Sequence, residues 1–154
     1  MMLDPGLYRE WRHRSEGRDA SSALSIQRDV EPLADRLLDM GAKIVLVKCG
    51  TSGLLLRTAV LDPDGLGKEL PGFSSLDIAQ PAYRPPRMLS ATGAGDTCIA
   101  AFLLSALSGY QPRDCLRFAA ATGALCVSSY DAFSALEPFE SLQARLDAGW
   151  ETLE

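Results

Sequence analysis

The chain has 154 residues, 47% hydrophobic and 23% charged, enough for one domain with a real core. Its net charge is -5 and its 15 lysines and arginines are scattered, which excludes general nucleic-acid binding. No apolar run reaches transmembrane length, and a single histidine, His13, excludes histidine-based metal sites and triads.

Residues 1 to 25 are polar and carry no secretory signal pattern. Asp4-Pro5 caps and starts a short helix in which Leu7 and Trp11 share a face. A loop or mobile segment is expected from Arg14 to Ser25, and Arg9, Arg12, Arg14 and Arg18 read as solvated surface. Residues 1–27 are therefore set apart as an N-terminal segment, partly mobile, ahead of a folded portion over 28–154.

Ile26, Val30, Leu33, Leu37 and Met40 recur at helical spacing, with Pro32 in the first turn and Gly41 as the stop. The apolar run in Lys43–Lys48 predicts a strand covered on both faces, as in a parallel sheet. Cys49 to Gly53 then reads as a glycine turn leading into a second strand, Leu54–Thr58. Ala59–Leu61 is a short strand candidate. Asp62 to Gly67 is rich in turn residues, and the segment up to Pro86 is expected to wander over the surface as an insertion.

The sequence Ser90-Ala91-Thr92-Gly93-Ala94-Gly95-Asp96-Thr97 comes next, followed at once by an apolar, alanine-rich run. Small residues before a helix leave bare backbone N–H groups at its positive end, a site for an anion such as phosphate. Asp96 has two readings: a group that caps the helix and favours its dipole, or a general base beside a bound phosphate. The helix from Asp96 to Ser108 is apolar nearly all round, which predicts deep burial. A further helix starts at Pro112-Arg113-Asp114 and runs to about Val127. A last one begins at Pro138 with Phe139, Leu142, Leu146 and Trp150 on one stripe. Cys49, Cys98, Cys115 and Cys126 form no C-x-x-C pair and read as buried free thiols in a reducing cytoplasm.

Thr-Gly-Ala-Gly-Asp followed by Ala100-Ala101-Phe102 resembles the C-terminal signature of the ribokinase-like, PfkB-type carbohydrate kinases. The resemblance implies that Asp96 is the base that takes the proton of a substrate hydroxyl. It implies that Gly93, Ala94 and Gly95 form an anion hole for the transferred phosphoryl group, beside Thr92. The strand-Gly-x-x-Gly-strand pattern resembles the family's nucleotide-side hairpin, which makes Lys48, Gly50 and Gly53 candidates for the nucleotide edge. Phe118 to Leu125 resembles the helix beside the adenine, with Ala120 and Gly123 as walls of the base pocket. Tight helix packing through small residues explains the same two positions equally well.

Two departures stand out. Ser90-Ala91 replaces the family's Asp-Thr, which leaves a monovalent cation doubtful. Ala120 stands where relatives often carry asparagine, which loosens base specificity. The resemblance covers most of residues 28 to 145 and corresponds to the C-terminal half of the family fold, so the chain is expected to be a fragment.

The implied fold is α/β, Rossmann-like: a largely parallel sheet with right-handed crossovers, helices on both faces, and the anion loop at the carboxyl ends of the strands. The implied function is ATP-dependent phosphoryl transfer to an alcohol of a sugar or related small molecule, with Mg2+ bridging the phosphates and no nucleic-acid or membrane partner. The alternative is a non-catalytic nucleotide-binding or assembly module. With half the domain missing, an exposed edge is expected to favour a homo-oligomer.

Overall fold

The computed structural model describes residues 5–15 and 24–153, and leaves the side chains of Leu7 and Trp11 undescribed. The expected Leu7–Trp11 face, most of the loop after Arg14, and the partial mobility assigned to residues 1–27 lie outside what is described. The elements are α1 (Pro5–Arg14), a π-helical turn (Ile26–Val30) continuing into α2 (Glu31–Asp39), β1 (Ile44–Lys48), β2 (Leu54–Thr58), α3 (Leu66–Glu69), β3 (Asp77–Gln80), α4 (Ala94–Leu107), α5 (Pro112–Cys126) and α6 (Phe139–Asp147).

Among the described residues the strands form one three-stranded sheet in the order β1-β2-β3. Both pairings are antiparallel, with Leu46 opposite Leu56 and Leu55 opposite Ala79. The α/β class holds, but the expected parallel orientation does not. A connection as short as Cys49–Gly53 closes a hairpin, whereas parallel neighbours need a crossover of about a dozen residues or more. Two-sided burial explains the unbroken apolar run of β1. Ile44 and Leu46 face a core built with Leu54, Leu56, Phe102, Phe118 and Ala121, whereas Val45, Val47 and Leu55 face a second core with Ile26, Val30 and Ala34. Helices thus cover both faces: α2 and the π-turn on one, α4 and α5 on the other.

Arg57 joins the layers. Its guanidinium meets Glu31 at 2.9 Å and Asp35 at 2.5 Å on the α2 side, and Asp77 of β3 at 2.7 Å. Asp77, and after it Asp35, hold the already high pKa of Arg57 higher still, against the opposing effect of burial. Arg14, read above as solvated, instead pairs at 3.0 Å with Asp29, whose side chain is 2% exposed. A buried carboxylate needs a partner, and the first described helix supplies it.

Two further expectations fail over residues 59–86. Ala59–Leu61 is not a strand. The surface insertion contains β3, and its Phe73 is buried, edge-on to Phe102 at 6.1 Å. Thr58 and Ser74 stitch the segment to the sheet: Thr58 Oγ1 accepts from the Leu76 amide at 2.8 Å and Ser74 Oγ from Leu61 at 2.9 Å. The turn residues around Asp62 do turn the chain, with the Asp64 amide on the Asp62 carboxylate at 3.0 Å.

Helix α4 is not buried all round. Cys98, Ala101, Phe102, Ser105 and Ala106 face the core, while Leu103, Leu104 and Leu107 are 52%, 59% and 79% exposed. Helix α5 is the main cover of α4 and lies along one side only, and among the described residues nothing packs on the other. Among these residues no helix is long and apolar enough to cross a membrane.

Candidate active site

Gly93 is the N-cap of α4, with φ +83, a left-handed conformation that glycine adopts at little cost. A Cβ built there would lie 2.6 Å from the Cβ of Ala132, so the loop after α5 leaves no room for a side chain. Three contacts hold this turn. Thr97 Oγ1 donates to the Gly93 carbonyl at 3.1 Å and to that of Ala94 at 3.2 Å. The Cys126 thiol, at the end of α5, points to the Thr92 carbonyl at 3.6 Å. The strand-like approach to the turn is tied to α5 by the Leu89 amide on Val127, at 2.8 Å, and by Ser128 Oγ on the Arg87 carbonyl, at 3.0 Å.

The turn leaves donors open. Among the described residues the amides of Gly93 and Gly95 make no hydrogen bond, and that of Ala94 makes a long one, 3.3 Å, to Ala91. These are the orphan donors of a helix start, clustered at the positive end of its dipole. Asp96 stands on the first turn, exposed, and its carboxylate has no hydrogen bond or ion pair among the described residues. The capping reading of Asp96 therefore finds no capping bond, although its charge still complements the helix end.

Lys48 is the last residue of β1, on the sheet face that looks at α4. Its Nζ lies 2.6 Å from the position a Gly95 Cβ would take. An ammonium group against a positive helix end is unfavourable on its own. Both become favourable around a shared anion. The carboxyl end of β1 and the start of α4 therefore meet, but antiparallel β2 brings its amino end, Leu54, to the same place, so the loop does not sit at the carboxyl ends of all the strands as expected.

A cleft of about 460 Å³ opens beside this pair. Lys48, Gly50, Gly53, Ala94, Gly95, Ala120 and Gly123 all line it, so seven sequence-predicted positions converge. Thr92, Gly93 and Asp96 do not line it; they sit on the turn at its rim. The remaining walls are mostly apolar: Leu54, Cys98, Ala119, Ala124 and Val127. Gly123 also packs closely, because a Cβ there would meet the Ala94 carbonyl oxygen at 3.5 Å.

Sequence reasoning missed the wall made by Ala82, Tyr83, Pro85, Met88 and Leu153. It is assembled by the chain end folding back: Leu153 donates to the Ala82 carbonyl at 2.7 Å, and Trp150 Nε1 to that of Arg84 at 2.8 Å. Trp150 also lies against Tyr83, at 5.3 Å between ring centroids, with the Arg145 guanidinium 4.4 Å above it. No motif joins residues so far apart in the chain, and the only sequence signal was an aromatic near the C-terminus.

Comparison with known proteins decides the family. The pfkB family carbohydrate kinase pattern matches residues 14–138. This chain belongs to the pfkB family of carbohydrate kinases. It is 36% identical over 88 residues to ribokinase of Arabidopsis thaliana, covering 57% of this chain and 20% of the relative. It is 30% identical over 113 residues to 5-dehydro-2-deoxygluconokinase of Clostridium beijerinckii, covering 73% and 29%. The structure of Arabidopsis thaliana ribokinase complexed with ribose and ATP superimposes with a TM-score of 0.63 at 28% identity, over 82% of this chain and 38% of that one. Ribokinase of Thermotoga maritima gives 0.60 at 25% identity, over 84% and 40%. This pfkB-family chain thus spans less than a third of the length of those curated relatives.

All four cysteines of the pfkB-family chain are free and buried. Burial pushes the thiol of Cys98 up to about 11 although Lys48 pulls it down, and burial alone does the same to Cys49. A thiol at that value is about 0.1% thiolate at pH 8, against roughly a quarter for a free cysteine. Alkylation of Cys98 by iodoacetamide at pH 8, followed by mass spectrometry, is expected to run at least about 100-fold slower than for a free thiol. Raising the pH toward 11 restores the rate. A rate near the free value at pH 8 would mean that the cleft wall opens readily.

Proposed function

We infer that this chain is the nucleotide-binding and catalytic-base portion, residues 28–154, of an enzyme that transfers the γ-phosphoryl of ATP to an alcohol of a sugar or related small molecule. One observation carries the reading: an ammonium group, Lys48, sits against a helix N-terminus with unpaired amides, at the mouth of an apolar cleft. Lone cations do not collect at positive helix ends unless an anion completes the arrangement. The cleft volume falls in the range of small-molecule sites.

The nucleotide base lies in the slot between β2 and α5, against Ala120 and Gly123, with Gly50 and Gly53 letting the hairpin approach it closely. Its phosphates run toward Lys48. The amides of Gly93, Ala94 and Gly95 receive the charge of the moving phosphoryl group, with Thr92 on the approach to them. Asp96 accepts the hydroxyl proton. Catalysis of this kind is positioning plus electrostatic stabilisation. Among the described residues no three His, Cys, Asp or Glu side chains cluster into a metal site. Magnesium, when bound with the nucleotide, would neutralise charge on its phosphates. A monovalent cation has no acid at position 90. The free thiols support a cytoplasmic setting.

Lys48→Met tests the reading by calorimetric titration of ATP with magnesium. Loss of one charge-assisted contact is expected to weaken binding about 10- to 100-fold. The same variant is expected to melt slightly higher without nucleotide, because a cation leaves a positive helix end. Unchanged affinity would remove Lys48 and the anion loop from the nucleotide site.

The second reading, a non-catalytic nucleotide-binding or assembly module, is favoured by the exposed Leu103, Leu104 and Leu107 of α4, an apolar surface suited to assembly. Nucleotide binding with no transfer to any sugar, even when the remainder of the domain is supplied, would select it.

A further inference from the structure

The anion loop is built from residues that turn easily. Gly93 and Gly95 flank Ala94, and glycine lets the adjoining peptide planes rotate at little cost. An anion hole nevertheless has to hold its donors in one direction before charge develops, since donors that must first reorient lose much of their effect. The loop's own side chains cannot fix these planes, so other groups have to.

A trans peptide is planar, and its N–H points opposite to the carbonyl of the preceding residue. The amide of Gly93 is thus aimed by the Thr92 carbonyl, that of Ala94 by the Gly93 carbonyl, and that of Gly95 by the Ala94 carbonyl. Two side chains hold all three of these carbonyls. The Cys126 thiol, wholly buried at the end of α5, points to that of Thr92 at 3.6 Å. Thr97 Oγ1, 7% exposed on α4, shares its hydrogen between those of Gly93 at 3.1 Å and Ala94 at 3.2 Å. The Gly93 carbonyl also accepts the amides of Asp96, at 3.0 Å, and Thr97, at 2.9 Å. With the carbonyls drawn toward buried groups on two packed helices, the three N–H groups are turned the other way. Neither Thr97 nor Cys126 lines the cleft.

We propose that Thr97 and Cys126 are positioning residues for phosphoryl transfer. They touch neither nucleotide nor acceptor; they keep the loop amides aimed at the phosphoryl group as it moves. Cys126 sets the amide of Gly93, and Thr97 sets those of Ala94 and Gly95. The inference rests on the anion-hole role given to these amides above.

The test measures binding of ADP with magnesium by calorimetry, with and without aluminium fluoride, a planar mimic of the phosphoryl group in transfer. It uses the enzyme that contains this chain together with the rest of its domain. In the parent, aluminium fluoride is expected to tighten ADP at least about 100-fold. Thr97→Val keeps the shape and removes the hydroxyl. It is expected to cut that gain about 10-fold, while the affinity for ADP alone stays within about 3-fold. Thr97→Ser should restore the gain. Cys126→Ala loses a weaker donor and should cut it about 3-fold. Ser105→Ala is the control, because Ser105 Oγ makes the same kind of bond further along α4, to the carbonyls of Ala101 at 2.7 Å and Phe102 at 3.0 Å. It should leave the gain unchanged. An undiminished gain in Thr97→Val, or a loss that Thr97→Ser does not repair, overturns the proposal and leaves the anion hole standing. A matching fall in the affinity for ADP alone also overturns it, since that is what a merely structural bond would produce. No gain in the parent removes the anion hole itself, and this inference with it.

Discussion

Asp96→Asn is expected to lower phosphoryl transfer by about 10²- to 10⁴-fold in the enzyme that contains this chain together with the rest of its domain. The affinity for ATP with magnesium should stay within a few-fold of the parent. The reasoning is geometric. The Asp96 carboxylate stands on the first turn of α4, exposed and without a partner among the described residues, next to amides that also lack partners. It therefore has no structural bond to lose, and asparagine keeps its shape while removing its basicity. The melting temperature should hardly move, since surface changes away from a packed or bonded feature stay within about 0.5 kcal/mol. A single-turnover assay across a panel of sugars, paired with calorimetry, separates the two effects. Near-normal turnover would take Asp96 out of the mechanism and leave a helix-end charge as its whole role.

Gly53→Ala is expected to be the most damaging small substitution in the chain, at about 3–5 kcal/mol in denaturant unfolding. Gly53 has φ +95, and a Cβ there would lie 2.1 Å from the Gln80 carbonyl oxygen and 2.9 Å from the Ala82 amide nitrogen. Both obstacles are backbone, at the end of β3 and in the cleft wall that follows, so neither can rotate away. Gly41→Ala is the control. Gly41 has φ +103, but nothing lies within 4 Å of its built Cβ. It should cost only the conformational term, about 1–2 kcal/mol. Equal losses at the two sites would mean that strain in φ, not contact with β3, is what requires glycine at 53. Because a domain is stable by only about 5–15 kcal/mol, Gly53→Ala should also broaden or abolish the folded state at 37 °C.

This pair shows how one residue can serve the fold and the site together. The resemblance singled out Gly53 for the nucleotide edge, and it does line the cleft. Its tightest contacts, however, are with β3 and its exit, a strand that lay inside the stretch read as a surface insertion. Asp77-Ile78-Ala79-Gln80 reads polar, apolar, apolar, polar, so the alternating burial of β3, even-numbered residues half-buried and odd ones exposed, has no matching alternation in residue type. Four residues are also too few for a period to stand out against neighbouring prolines and glycines.

The sequence by itself determined α1, α2, α4, α5 and α6, the β1–β2 hairpin and the small-residue turn before α4, but not α3. Each depends on near neighbours: periodic apolar residues, a glycine stop, and small residues before a helix start. It also pointed to the positions around the cleft, because Gly-x-x-Gly and Gly-Ala-Gly-Asp are local strings. Strand direction was not determined, since an unbroken apolar strand reports burial on two faces and is blind to which way its neighbour runs. Only the tertiary structure decided that Lys48 meets Gly95, that Leu153 and Tyr83 close the cleft, and that α4 buries one side and exposes leucines on the other. Those facts turn on which surfaces meet across long stretches of chain. A helix whose composition is apolar all round cannot record in its own sequence which of its faces is left exposed.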